Sequence, residues 1–220
     1  MAERRLIDDD LETLKQRLTV MGSLAEQRVR VAVDALVRGD RAQLRDVIEG
    51  DKPVNDLQIE IDARCFRLLA LQHPVAVDLR FVVTSTKLTV DLERVGDLAV
   101  NIAETGSRYL EHQPIKPLID LPRMSRIAEQ MLSVALDAFL TRSASRAQSV
   151  LAWDDQLDEL KSQVFRELLT FMLGNAATIE PGTDLILIAR HLERIGDHAT
   201  NIAEDAIFLT EARDLRHGRM

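Results

Sequence analysis

Thirteen residues, LERVGDLAVNIAE from Leu92 to Glu104, return as LERIGDHATNIAE from Leu192 to Glu204, ten positions identical at a constant offset of 100. The likeness reaches further. Ala25, Glu26 and Gln27 match Ala128, Glu129 and Gln130 at an offset of 103, as do Val31, Ala32, Asp34 and Ala35 with Val134, Ala135, Asp137 and Ala138, and Asp51 with Asp154. The drop from 103 to 100 places a three-residue deletion near GNAATIEPG, where a loop absorbs it. Two copies make a pair, not a solenoid. The expected architecture is therefore all-α: two homologous three-helix bundles, six long helices in all, related by a pseudo-twofold axis.

The helices are written in the spacing of apolar residues. Leu11, Leu14, Leu18, Met21, Ala25, Val29, Ala32 and Leu36 predict an amphipathic helix from about 8 to 38, stopped at Gly39. Asp40 with Gln43 three residues later predicts a capped second helix running to about His73. Pro74 opens a third, to about Glu111. The stretch HQPIKPLIDLP then reads as a linker, giving a first repeat over 1–112, a linker over 113–122 and a second repeat over 123–220. With 9 Gly, 6 Pro and 4% aromatics in 220 residues, long helices meet few breakers.

Charge and cysteine usage remove several function classes. A net charge of −8 argues against nucleic acid as a partner, because phosphate neutralisation needs a basic surface. The single Cys65 excludes an internal disulfide framework and a thiolate zinc site, and suits a reducing compartment. No apolar run reaches the ~18 residues of a membrane span, so a cytoplasmic chain is expected.

On a helical wheel Leu79, Val83, Thr86, Val90, Glu93, Asp97, Asn101 and Glu104 fall on one stripe of the third helix. Leu88, Leu92, Val95, Ala99 and Ile102 form a second, leaving a narrow solvent face at Lys87, Asp91, Arg94 and Leu98. Helix two carries Asp51, Asn55, Ile59, Asp62, Phe66, Leu69 and His73 on one face. Folding it back about His73 and Pro74 brings Asp51 level with residue 96 and Asn55 level with residue 92. Asp51, Asn55, Glu93 and Asp97 then share one height. In the second copy Asp154 and Asp158 meet Glu193 and Asp197, to within about a turn. Gly96 lets the opposing backbone approach.

Carboxylates stacked on facing helices repel and resist desolvation unless protons, arginines or a cation compensate them. Oxygen ligands without thiolate suit hard ions such as Mg²⁺, Mn²⁺, Ca²⁺ or iron. The alternative is that Arg94 and Arg194 neutralise the acids in a surface network while Asn101 and Asn201 bond between helices. Pro53 raises a separate alternative for Asp51, a helix restart at Lys52 that would make it an N-cap. His191 and His198 fall on the solvent side of the wheel. A ferritin-like di-metal carboxylate enzyme or metal-storage protein is the competing reading, but that class uses Glu-x-x-His, a spacing missing from this sequence.

The residues EGDKPVN (49–55), DLR (78–80), LERVGD (92–97) with Asn101, LERIGDHATNIAE (192–204) and Met21-Gly22 together resemble the PhoU family. The resemblance covers essentially the whole chain. It implies a cytoplasmic, non-enzymatic, all-α regulator of phosphate uptake and a negative regulator of the phosphate regulon. Such a protein links the ATP-binding subunit of the phosphate ABC transporter to a phosphate-sensing histidine kinase, sits at the inner membrane only through the transporter, and forms a homodimer. It implies iron, manganese, magnesium or zinc as cofactor, with Asp51, Asn55, Glu93 and Asp97 as one metal site and Asp154, Asp158, Glu193 and Asp197 as the other. Asn101, Asn201, Arg94 and Arg194 would support these sites.

Overall fold

The computed structural model describes residues 2–212, and among them the regular structure is helical throughout. The helices are α1 (Ala2–Arg38), α2 (Arg41–Glu49), α3 (Lys52–Gln72), α4 (Ala76–Tyr109), α5 (Asp120–Thr141), α6 (Ala144–Gly174) and α7 (Ile179–Glu211), with a 3-10 turn at Ala176–Thr178. The outer limits expected for the two repeats, residue 1 and residues 213–220, lie outside the described residues.

Local signals account for most boundaries. The stripe from Leu11 to Leu36 on α1 is buried as its spacing predicts. Gly39 ends the helix at φ +70°, a conformation open to glycine without strain. The Asp40 carboxylate accepts the Gln43 amide at 3.0 Å and caps α2. The second helix is not the continuous one expected: it breaks after Glu49 and restarts at Lys52, with Pro53 in the first turn of α3, where a missing N–H breaks no helical bond. The second copy has no proline there, and α6 runs unbroken through Asp154. At the other end, α5 begins at Asp120 because Pro122 fits its first turn.

Helices α1, α3 and α4 pack on one another, with α2 laid on α1 and α4, while α5, α6 and α7 form the matching set. The main contacts between the sets are α4 on α7 and α1 on α5. Exchanging α1 with α5, α3 with α6 and α4 with α7 maps each of these pairs onto itself, which is the signature of a twofold, isologous junction. The halves share one apolar core. Gly22 admits α5, since a Cβ there would stand 2.2 Å from Leu136 Cδ2, and Phe81 of α4 meets Phe139 of α5 at 5.5 Å between centroids. Burial of such side chains contributes about 1.5–3 kcal/mol each. Among the described residues no helix is long and apolar enough to cross a membrane.

Two readings from the helical wheel are corrected. Asp91 and Leu98 do not form a solvent face on α4: Leu98 is buried and Asp91 half-buried, because α7 of the other half covers them. Conversely, Ile59, Phe66, Leu79, Val83 and Val90 are exposed. The α3–α4 hairpin closes on Val54, Ile61, Cys65 and Leu68 against the buried face of α4, so the apolar end of the first stripe is left at the surface.

Candidate functional site

The first acidic cluster forms where the break before α3 meets the middle of α4. Asp51 lies level with Gly96, as the hairpin register predicts: a Cβ on Gly96 would stand 3.5 Å from Asp51 Oδ1 and 3.4 Å from Val54 Cγ1. Asp51 occupies the N-cap position of α3, yet its carboxylate caps no amide. Its Oδ2 accepts Asn55 Nδ2 at 2.8 Å and its Oδ1 lies 3.2 Å from Arg28 Nη2. On α4, Arg94 reaches Asp97 Oδ2 at 3.0 Å and Glu93 Oε2 at 3.6 Å. Burial pushes the Glu93 carboxyl above its ordinary range, Asp97 adds to the push, Arg94 opposes it and Asp51 adds again.

Asn55 Oδ1 is buried without a hydrogen-bond partner, and Asp51 Oδ1, which accepts no hydrogen bond, has only the Arg28 guanidinium beside it. Unmatched buried acceptors are uncommon in folded proteins and mark either strain or a missing ligand. Both are hard oxygen donors, so the cluster fits a hard cation.

The second cluster is built differently. Asp154 receives Thr200 Oγ1 at 3.4 Å. Lys161 places its ammonium 2.8 Å from Asp158 Oδ1 and 2.5 Å from Glu193 Oε1, tying α6 to α7. Gly196 brings the helices close, for a Cβ there would meet Leu157 Cδ2 at 2.5 Å. Burial raises the Asp154 carboxyl, with Asp158 next in effect and Thr200 opposing. Asp197 is exposed as a whole residue, yet partial burial of its carboxyl, then Glu193 and Asp154, raises it too. Asp158 and Asp197 are exposed, and among the described residues neither Asp154 nor Glu193 leaves a buried oxygen unmatched.

The structure thus brings together both predicted sets, with Asp51, Glu93, Asp97, Asp158 and Glu193 ion-paired. Among the described residues no three His, Cys, Asp or Glu side chains stand as a ready metal site. Of the expected supporting residues, Arg94 neutralises the first cluster, as the surface-network alternative holds. Arg194 is exposed, and Asn101 makes no side-chain hydrogen bond among the described residues. Asn201 Nδ2 reaches Asp91 Oδ1 at 3.3 Å, across to the other half. His198 is not on a solvent face: its Nδ1 lies 2.8 Å from Asp91 Oδ1 in the seam between α4 and α7. His191 is half-buried, with Nδ1 unmatched and its imidazole held below the usual range by burial first, then by Arg194, Arg190 and Arg108.

Two residues escaped sequence reasoning. Arg28 is buried beneath Asp51, donating to Val47 O at 2.7 Å and also to Gly50 O. Its signal is a departure between copies, since the matching residue is Met131. Lys161 stands on the face of Asp154 and Asp158 at helical spacing, which a wheel of α6 displays.

A family model described as the PhoU domain matches the chain twice, over residues 18–106 and 121–206. The phosphate-specific transport system accessory protein PhoU homolog of Caulobacter vibrioides is 40% identical over 212 residues, 96% of this chain and 92% of that protein. The Escherichia coli K12 protein of that name, PhoU, is 34% identical over 210 residues, 94% of this chain and 86% of its own. The crystal structure of PhoU from Pseudomonas aeruginosa has a TM-score of 0.88 at 35% identity, covering 94% of this chain and 99% of that one. The phosphate transport system regulatory protein PhoU from Streptococcus pneumoniae gives 0.87 at 31%, covering 95% and 99%. Matched in both halves by one family model and end to end by these relatives, the chain belongs to the PhoU family.

Proposed function

We propose that this chain is a non-enzymatic negative regulator of phosphate uptake and of the phosphate regulon, acting as a metal-binding adaptor between the ATP-binding subunit of a phosphate ABC transporter and a phosphate-sensing histidine kinase. The observation that carries the reading is the likeness, in sequence and shape over nearly the whole chain, to proteins named as accessory or regulatory parts of phosphate transport systems. An adaptor needs surface for partners. The exposed apolar residues Ile59, Phe66, Val83 and Val90 on the outer side of the α3–α4 hairpin support such a role.

Metal binding is part of the same proposal. Asp51, Asn55, Glu93 and Asp97 would hold a hard cation, which would supply positive charge to offset their carboxylates between α3 and α4. The second set, Asp154, Asp158, Glu193 and Asp197, has the same donor chemistry.

Deleting the gene and reading a phosphate-starvation promoter in phosphate-rich medium tests the regulatory reading. Derepression, reversed by the intact gene supplied in trans, is expected. Reporter output that stays low in the deletion strain overturns it.

A further inference from the structure

We propose that Lys161 is a built-in counter-cation of the second acidic cluster, holding the place between α6 and α7 that a metal ion takes between α3 and α4, so that the two halves of this chain bind metal unequally. This rests on the metal-binding reading for the first half.

The contrast is geometric. Lys161 contacts a carboxylate on each of two helices, Asp158 of α6 at 2.8 Å and Glu193 of α7 at 2.5 Å. An ion joining the helices through these carboxylates would have to compete with the ammonium for them. In the first half the matching residue is Gln58, which brings no charge. Arg94 does pair with Glu93 and Asp97, but all three lie on α4, so the pairing crosses no helix interface. Arg28 reaches only Asp51, from beneath. Between α3 and α4, Asn55 Oδ1 remains buried with no hydrogen-bond partner and Asp51 Oδ1 has only Arg28 beside it, whereas among the described residues Asp154 and Glu193 leave no buried oxygen unmatched.

A lysine in this position makes metal entry a competition. The ammonium must leave Asp158 and Glu193 before an ion can use them, and its departure costs the charge pairing it supplied. Its long stem lets it swing out, so the effect is on affinity and is graded.

The test counts Mn²⁺ bound by the metal-free full-length chain, by calorimetric titration with free Mn²⁺ followed by its electron paramagnetic resonance. The parent should bind one ion tightly, lost in Glu93→Gln and retained in Glu193→Gln. Lys161→Met should add a second tight ion, tightening that step by about tenfold, and Glu193→Gln in the same chain should remove it. Two equal ions in the parent, or no change in Lys161→Met when the parent binds one, overturns the proposal and leaves the metal reading standing. No ion in either chain overturns both. A thermal-unfolding double-mutant cycle in chelator gives an independent readout: Lys161→Met and Glu193→Gln should be non-additive, and additive effects would show that the ammonium does not neutralise Glu193.

Discussion

The Asp91 carboxylate of α4 and the His198 imidazole of α7 meet at 2.8 Å across the seam that joins the two halves. Asn201 adds a contact to the same carboxylate oxygen. The pseudo-twofold mate of this pair is His191 with Leu98, so only one side of the seam carries the bond. Both side chains are mostly buried, with 16% of His198 and 15% of Asp91 exposed. Replacing His198 with leucine, the residue of the first copy, therefore leaves Asp91 poorly matched and should cost about 1–3 kcal/mol. The double variant Asp91→Leu with His198→Leu should recover much of that loss, since removing both partners of a bond costs less than stranding one. Urea unfolding of the four chains measures the coupling, and its absence would mean the bond contributes nothing to the seam.

Acidity of the clusters predicts an unusual pH response. Glu93, Asp154 and Asp197 have carboxyls raised in the folded chain, chiefly by burial and then by neighbouring acids. In the window between the ordinary carboxylate range and their raised values, the folded state binds more protons than the unfolded one. Stability conferred by these groups then falls as pH rises through that window. In chelator, Glu93→Gln and Asp197→Asn should each raise the melting temperature near neutral pH, with the gain shrinking as pH falls towards the ordinary carboxylate range. A gain of constant size across that range would show that charge at these positions carries no cost.

Gly96 and Gly196 are the same residue of the repeat and should respond differently to alanine. A Cβ at Gly96 meets Val54 Cγ1 at 3.4 Å and Asp51 Oδ1 at 3.5 Å, ordinary contact distances. Gly96→Ala should be neutral or stabilising by up to about 1 kcal/mol from helix propensity. At Gly196 the added carbon stands 2.5 Å from Leu157 Cδ2, with Met131 also close behind. Leu157 is fully buried, so Gly196→Ala should cost about 1–3 kcal/mol through overpacking. Thermal unfolding of the two variants side by side decides the matter, and equal shifts would contradict the difference in helix approach.

Why one half of each prediction was legible in the sequence and the other was not follows from where each partner sits. Duplication, helix spacing and the hairpin register are local or nearly so, and they placed Asp51 opposite Gly96 without a structure. Pro53 held the α2–α3 break in plain view. The partners of Asp91 could not be seen, because His198 lies 107 residues away and faces it only through the packing of α4 on α7. A helical wheel shows a face without saying what covers it, so the wheel misassigned Leu98, His198 and the exposed Val83 and Val90. Arg28 and Lys161 were visible as departures between the copies, but their reach across helices was not.

Arg28 holds the junction of α2 and α3 together. It is 8% exposed and gives its guanidinium to the carbonyls of Val47 and Gly50 and to the Asp51 carboxylate. Those carbonyls belong to the C-terminal end of α2, where no further helical turn would satisfy them. Arg28→Met, which copies the second half, removes every one of these bonds and leaves the partly buried Asp51 carboxylate with Asn55 alone as a partner. The expected loss is about 3–5 kcal/mol, the scale found when one partner of a buried charge pair is removed. Arg17→Met is the control: Arg17 pairs with Glu60 at 3.0 Å but the two side chains are 42% and 35% exposed, so its loss should stay below about 1 kcal/mol. Hydrogen exchange adds the location. Amides near residues 50–55 should lose protection in Arg28→Met while those in the middle of α7 keep it, and Mn²⁺ binding at the first cluster should weaken with Asp51 released. Equal stability losses in the two arginine variants, or unchanged exchange at the junction, would show that Arg28 is a surface-like residue despite its burial.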